Sequence, residues 1–256
     1  MTAVLTDLRV KIFADGADLA AVAAVSGNPL IKGFTTNPTL MRKAGVEDYR
    51  AFAVELLRIV PDRPVSLEVF SDEFAEMERQ AAAIAAWGPN VYVKIPVTNT
   101  RGDFAGPLIT RLSAAGVRVN VTALMTPFQV RRVAECLSAA TPSFVSVFAG
   151  RIADSGRDPV PLVLEALQVL QPHPAVELIW ASPRELLNIV QADVIGCHII
   201  TVSNDLLAKL PLLGKDLEAF SLETVRMFYE DARKAGYSID TSRVLAPPVA
   251  EASKAI

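Results

Sequence analysis

The chain has 256 residues, 51% hydrophobic and 21% charged, with 25 Lys and Arg against 28 Asp and Glu for a formal charge of −3. That composition supplies ample material for an apolar core, is too poor in charge for a disordered chain, and leaves no basic footprint for nucleic acid. Cys136, Cys197, His173 and His198 show no zinc-ligand spacing, so the cysteines read as reduced core residues and no metal is expected.

The opening Met1-Thr-Ala-Val-Leu-Thr-Asp7 is not the basic-then-apolar pattern of a signal peptide. The apolar stretch Pro159 to Leu170 is interrupted by Glu165 and Gln168, too short and too polar to span a bilayer. A cytoplasmic protein with no membrane partner is expected.

Along the chain, short apolar runs alternate with longer Ala- and Leu-rich helical patterns. A strand at Lys11 to Asp15 precedes a helix at Ala17 to Val25, and strands follow at Gly33 to Asn37 and Val65 to Val69. A helix at Ser71 to Trp87 leads to a strand at Val91 to Pro96, and one at Gly106 to Ala115 to a strand at Arg118 to Ala123. Thr126 caps a helix running to Ala139, with Pro127 at its first position. Strands at Phe144 to Ala149, Val176 to Ser182 and Ile195 to Ser203 complete the set, and a last amphipathic helix, Leu222 to Ala235, stops at Gly236.

Eight strands separated by helices are the signature of an α/β protein of the (β/α)8 TIM-barrel type. The rival, a doubly wound open sheet, needs a glycine-rich phosphate turn after its first strand, where this chain reads Asp15-Gly-Ala-Asp18. No linker divides the sequence, so residues 1–256 read as one barrel domain with a C-terminal helical extension over about 215–256. That tail is expected to dock on the barrel or on a neighbouring subunit, which leaves a homo-oligomer open.

Polar residues end strands that are otherwise apolar: Asp15, Thr36, Asn37, Glu68, Lys94, Asn120, Thr122, Ser146 and Ser182. In a barrel the C-terminal strand ends converge on one mouth, so this set is expected to form a single site. Lys94 stands out, inside the apolar run Val91-Tyr-Val-Lys-Ile-Pro-Val97. An isolated strand lysine usually snorkels to solvent. Surrounded by carboxylates, amides and hydroxyls on other strand ends, this one reads as an amine nucleophile, because desolvation frees an amine for Schiff-base formation.

Schiff-base chemistry also needs a proton shuttle, and Asp15 and Glu68 can supply it, with the Thr122 hydroxyl holding a water between Glu68 and the imine. Asp15 could instead cap the first helix, a task for which Asp18 is equally placed. Arg151, after Phe148-Ala-Gly150, and Arg184, after Ala181-Ser-Pro183, follow late strands where barrels often bind phosphate; Gly150 and Ser182 leave room for a ligand. His173, His198, Trp87 and Trp180 read as loop, core or rim residues.

These segments together resemble the transaldolase family from about the first strand to the eighth: Lys11-Ile-Phe-Ala-Asp15, Gly33-Phe-Thr-Thr-Asn-Pro-Thr39, Ser66-Leu-Glu-Val69, Val93-Lys-Ile-Pro96, Asn120-Val-Thr122, Ser146-Val-Phe-Ala-Gly-Arg-Ile152 and Ala181-Ser-Pro-Arg184. The resemblance implies that Lys94 forms the imine, and that Asp15 and Glu68 act as acid and base with a water held by Thr122. It implies that Asn37, Asn120 and Ser146 bind substrate hydroxyls and that Arg151 and Arg184 take the phosphate. The reaction implied is cofactor-free transfer of a dihydroxyacetone unit from a ketose phosphate to an aldose phosphate, a step of carbohydrate metabolism of the pentose phosphate type.

A sister branch, fructose-6-phosphate aldolase, cleaves without transfer and carries glutamine at the position of Glu68 and tyrosine at that of Phe148. Both residues here side with transfer, since the Phe148 ring offers no proton to release the bound intermediate. A catalytically silent sugar-phosphate-binding barrel is the third reading, and it has no chemical need for both Lys94 and Glu68. The chain departs from the family at Val147, Thr126-Pro127, Glu185 and Ser203-Asn204, which leaves the pocket rim open, and is shorter than pentose-phosphate transaldolases, which suits a specialised sugar phosphate.

Overall fold

The structure, a computed structural model, describes residues 8–242. Eight parallel strands close into a barrel in sequence order: β1 (Lys11–Asp15), β2 (Ile31–Thr35), β3 (Val65–Glu68), β4 (Val91–Pro96), β5 (Val119–Leu124), β6 (Ser143–Val147), β7 (Val176–Trp180) and β8 (Ile199–Ser203). Strand β8 pairs back onto β1 from Lys11↔Ile199 to Asp15↔Ser203 and completes the ring. The helices are α1 (Leu19–Ser26), α2 (Pro38–Lys43), α3 (Tyr49–Ile59), α4 (Phe74–Ala85), α5 (Gly106–Ala114), α6 (Pro127–Ala134), α7 (Ala149–Asp154), α8 (Pro159–Leu170), α9 (Leu187–Val194), α10 (Asn204–Leu207) and α11 (Leu217–Lys234). The chain divides into a barrel unit, Met1–Leu213, and a second unit, Gly214–Ile256. In the second, Asp216 caps α11 by accepting the Ala219 N–H, and Gly236 follows the helix at φ 68°.

The (β/α)8 expectation holds, with shifted boundaries. β2 starts at Ile31 and ends at Thr35, so Asn37 lies beyond the strand. β8 starts only at Ile199, because Ile195 ends α9 and Gly196, at φ 75°, turns the chain first. The helix expected to reach Ala139 stops at Ala134. No helix among the described residues is long and apolar enough to cross a membrane.

Strand side chains alternate between two surroundings, as the pleat requires. Ile12, Leu67, Val93, Val121, Val145, Leu178 and Ile200 join the large core shared with the helices. Phe13, Tyr92, Phe144, Ile179 and Ile199 form a separate cluster that fills the barrel interior. Phe144 stacks on Tyr92 with ring centroids 4.0 Å apart and meets Phe13 edge-on at 5.7 Å. This aromatic plug seals the barrel beneath the polar layer, so the site above it opens at one end only.

Gly33 makes room for the plug: a Cβ there would lie 2.5–2.7 Å from three atoms of the Phe13 ring. Phe13 is fully buried and cannot retreat. Gly33→Ala is therefore expected to cost about 1–3 kcal/mol through overpacking, read in thermal unfolding as a loss of roughly 2–4 °C per kcal/mol. An unchanged Tm would show that the ring has somewhere to go.

Candidate active site

Above the plug the inward positions turn polar. Register places Glu68 beside Lys94 and Lys94 beside Asn120, so three adjacent strands present these groups at one height. A cavity of about 370 Å³ opens there, lined by Asp15, Thr35, Asn37, Glu68, Lys94, Asn120, Thr122, Ser146, Phe148, Arg151, Ser182 and Thr201 among others. A broader hollow of about 850 Å³, lined by residues of α6 and α8 and by His173, brings together no comparable set of groups. The smaller cavity is the candidate site.

Lys94 is buried and its Nζ lies 3.0 Å from Glu68 Oε2. Nζ also donates to the Thr36 carbonyl at 2.8 Å. An ammonium withdrawn from water is costly unless charge and hydrogen bonds compensate it, and here a carboxylate and a carbonyl do so. The Tyr49 hydroxyl donates to the Glu68 carbonyl at 3.1 Å and steadies the end of β3.

Asp15 takes no part in capping, since the Asp18 carboxylate accepts the Ala20 and Ala21 N–H groups at 2.9 and 3.0 Å. Asp15 is thereby left to the cavity. Burial raises its pKa above the ordinary carboxylate range; the Lys94 charge and a hydrogen bond from Thr35 oppose that rise, and Glu68 adds to it.

The remaining polar groups form two sets. Ser146 Oγ donates to Asn120 Oδ1 at 2.7 Å, and Asn120 Nδ2 donates to Ser66 Oγ at 3.0 Å, a hydroxyl–amide–hydroxyl chain across β6, β5 and β3. Thr122 Oγ1 is buried with no hydrogen-bond partner in the protein. A polar atom left so at a cavity wall is free to hold a water or a substrate hydroxyl.

Two of the expected site residues lie outside the cavity lining. Thr36, expected at the mouth through its hydroxyl, is fully buried outside the cavity lining; Thr36 Oγ1 donates to the Ser66 carbonyl and only the Thr36 carbonyl reaches Lys94. Alternation turns Thr35 inward in its place. Arg184 is also absent from the lining: its guanidinium grips Asp154 with both Nε, 2.9 Å from Oδ1, and the second terminal nitrogen. Asn37 does line the cavity, while its Oδ1 caps α2 by accepting the Leu40 N–H at 3.0 Å.

The rim is drawn tight by Gly150, where a Cβ would lie 1.5 Å from the Ser182 carbonyl oxygen and 3.2 Å from Arg184 Nε. Ser182 itself sits at φ 59°, a conformation that non-glycine residues seldom adopt and that clusters at ligand sites. Outside the site, His198 Nδ1 accepts the Leu178 N–H at 3.0 Å and desolvation lowers its pKa. Trp180 is fully buried.

Sequence reasoning missed Thr35, Ser66 and Thr201. A signal was present, because Ser66 and Thr201 each stand two residues before a polar strand end, Glu68 and Ser203, and share its face.

The family model described as Transaldolase/Fructose-6-phosphate aldolase matches residues 12–246. The chain belongs to this family. It is 34% identical over 215 residues to a probable transaldolase of Dehalococcoides mccartyi, covering 82% of this chain and 96% of that one. A probable transaldolase of Streptococcus agalactiae is 36% identical over 217 residues, covering 82% and 95%. One of Thermoanaerobacter is 32% identical over 234 residues, covering 90% of this chain and all of the other.

Proposed function

We propose that this family member is a transaldolase: Lys94 takes up a ketose phosphate as an imine and passes a dihydroxyacetone unit to an aldose phosphate. The observation that carries the reading is a buried lysine amine 3.0 Å from one carboxylate, in a cavity that a second carboxylate, its pKa raised by burial, also lines.

The steps follow from the groups. Glu68 takes a proton from Lys94, whose nitrogen lone pair then attacks the ketone carbon, and the carbonyl oxygen collects a proton to give the carbinolamine. The carbinolamine loses water through Glu68 and a water held at Thr122, leaving the protonated imine. Asp15 removes the proton from the hydroxyl on the carbon that is about to depart. The C–C bond breaks, its electron pair moves into the enamine, and the aldose phosphate leaves. The acceptor aldehyde is attacked by the same enamine carbon with Asp15 returning its proton, and hydrolysis of the new imine frees Lys94. Ser146, Asn120 and Asn37 orient substrate hydroxyls, and Arg151 receives the phosphate.

Free cleavage, as in fructose-6-phosphate aldolase, is the second reading. Phe148, packed on the interior aromatic cluster, favours transfer, since its ring donates no proton to the enamine. The test supplies fructose 6-phosphate with and without an aldose phosphate acceptor. Transferred product that depends on the acceptor, with a borohydride-trapped adduct on the protein, supports transfer. Dihydroxyacetone released equally fast without acceptor assigns the chain to free cleavage, and no trapped adduct removes the imine.

The arginines should be unequal. Arg151→Ala is expected to weaken use of phosphorylated substrates by about 10–100-fold in kcat/KM, the value of a charge-assisted contact of about 1.5–3 kcal/mol. Arg184→Ala should lose less, because Asp154 already occupies its fork. Comparing phosphorylated with unphosphorylated donors isolates the effect, and equal kinetics in the Arg151 variant would move the phosphate site elsewhere.

A further inference from the structure

The two hydroxyls that lie nearest Asp15 in the hydrogen-bond pattern have no part in the steps above. Thr35 on β2 donates to Asp15 Oδ1 at 2.7 Å. Thr35 Oγ1 and Thr201 Oγ1, the latter on β8, are hydrogen-bonded to each other over β1, which lies between their strands. Both threonines are buried, and both line the cavity.

A hydroxyl carries a single hydrogen. Since Thr35 spends its own on Asp15, Thr201 must be the donor to Thr35, and the chain runs Thr201 to Thr35 to carboxylate. When Asp15 carries a proton on Oδ1 the chain can reverse, with Asp15 donating to Thr35 and Thr35 to Thr201. Neither a backbone N–H nor an amide nitrogen could follow such a change, because each only donates. A pair of hydroxyls serves a carboxyl group that must be a base in one step and an acid in the next.

We propose that Thr201, acting through Thr35, is a positioning residue for Asp15: the pair fixes the carboxyl group in the cavity and turns over with its proton. The proposal rests on the reading of Asp15 as the group that takes and returns the proton of the C–C step. The isostere valine would fill the same space at either position, so packing alone does not call for the hydroxyls.

The charged groups around Asp15 are Lys94 from β4 and Glu68 from β3; Asp18, Lys43 and Asp205 line the adjoining hollow that Asp15 shares. Burial pushes the Asp15 carboxyl up and the Thr35 bond restrains it. Loss of that bond therefore raises the carboxyl further, and the acid limb of kcat/KM, below which Asp15 can no longer act as base, moves to higher pH. In Thr201→Val the shift has the same sign and is smaller, because Thr35 keeps its bond to Asp15 and loses only the polarising donor behind it.

The experiment measures kcat and KM from pH 5 to 9 with fructose 6-phosphate and an aldose phosphate acceptor, for Thr35→Val, Thr35→Ser, Thr201→Val, Thr201→Ser and Asp15→Asn. The expected result is a kcat lower by about 10-fold or more in Thr35→Val and by about 3–10-fold in Thr201→Val, a part of the 10²–10⁴ that a positioned acid–base group supplies. KM should stay within about 3-fold, the acid limb should move up in both, and serine should restore both variants.

A KM effect without a shifted limb would make the pair a substrate-hydroxyl ligand and overturn the proposal. So would a wild-type profile in Thr201→Val. If valine at position 35 does not fold, the Thr201 pair of variants decides alone. Turnover that survives in Asp15→Asn would remove the underlying reading of Asp15, whereas an inactive Asp15→Asn beside an unaffected Thr201→Val would remove only the role of the threonines.

Discussion

Lys94→Met is expected to abolish turnover and the borohydride-trapped adduct together, with kcat/KM lower by at least about 10⁴-fold, equivalent to about 5.5 kcal/mol of barrier. Methionine keeps the length of the side chain and deletes the amine, so the nucleophile disappears while the cavity keeps its shape. The fold should survive. Removing one partner of a buried ion pair is destabilising when the other is stranded, but the Glu68 side chain retains 16% of its exposure and can recruit water. Pairing the change with Glu68→Gln removes the stranded charge, and the double variant should be at least as stable as Lys94→Met alone. Intact mass after borohydride treatment and thermal unfolding check both halves. An adduct that persists in Lys94→Met would assign the imine to another lysine.

Asp15→Asn should separate imine formation from bond cleavage. Asparagine keeps the shape and cannot accept the hydroxyl proton, so transfer should fall by about 10²–10⁴-fold, while the donor is still trapped on Lys94. Stability should move the other way. The native state holds the Asp15 proton more tightly than the unfolded chain because burial raises the carboxyl. Between the unfolded value, about 3.9, and the raised native one, the native state binds more protons, so this group's contribution to stability falls as pH rises. The deficit is complete above the native pKa and vanishes below the unfolded one. Asn has no such deficit, so Asp15→Asn should have the higher Tm at pH 8, and the gap should close as pH drops towards 4. A variant less stable than the parent at pH 8, or one with undiminished transfer, would show that Asp15 is a structural acid.

These carboxylates and the lysine were legible because a parallel barrel makes strand ends converge whatever the rest of the chain does. Lys94, Glu68, Asp15, Asn120, Thr122 and Ser146 could be picked out as polar residues closing apolar runs, and the structure brings all six to one cavity. The helix boundaries were less legible. α6 ends at Ala134 even though the helical pattern continues, because the chain must turn back to enter β6.

By itself, then, the sequence determined the alternation of eight strands with helices, the buried lysine and the carboxylates at the mouth, all consequences of local pattern and of one general property of barrels. Only the tertiary structure decided which of two consecutive threonines faces inward, since that depends on where β2 begins and its parity, and the sequence around Gly33 allows either. It also decided that Asp18 relieves Asp15 of capping and that Asp154 holds Arg184. Thr35 and Thr201 meet across 166 residues of chain, because β8 closes onto β1 and β1 pairs with β2. No local pattern encodes that contact; it exists only when the barrel is shut.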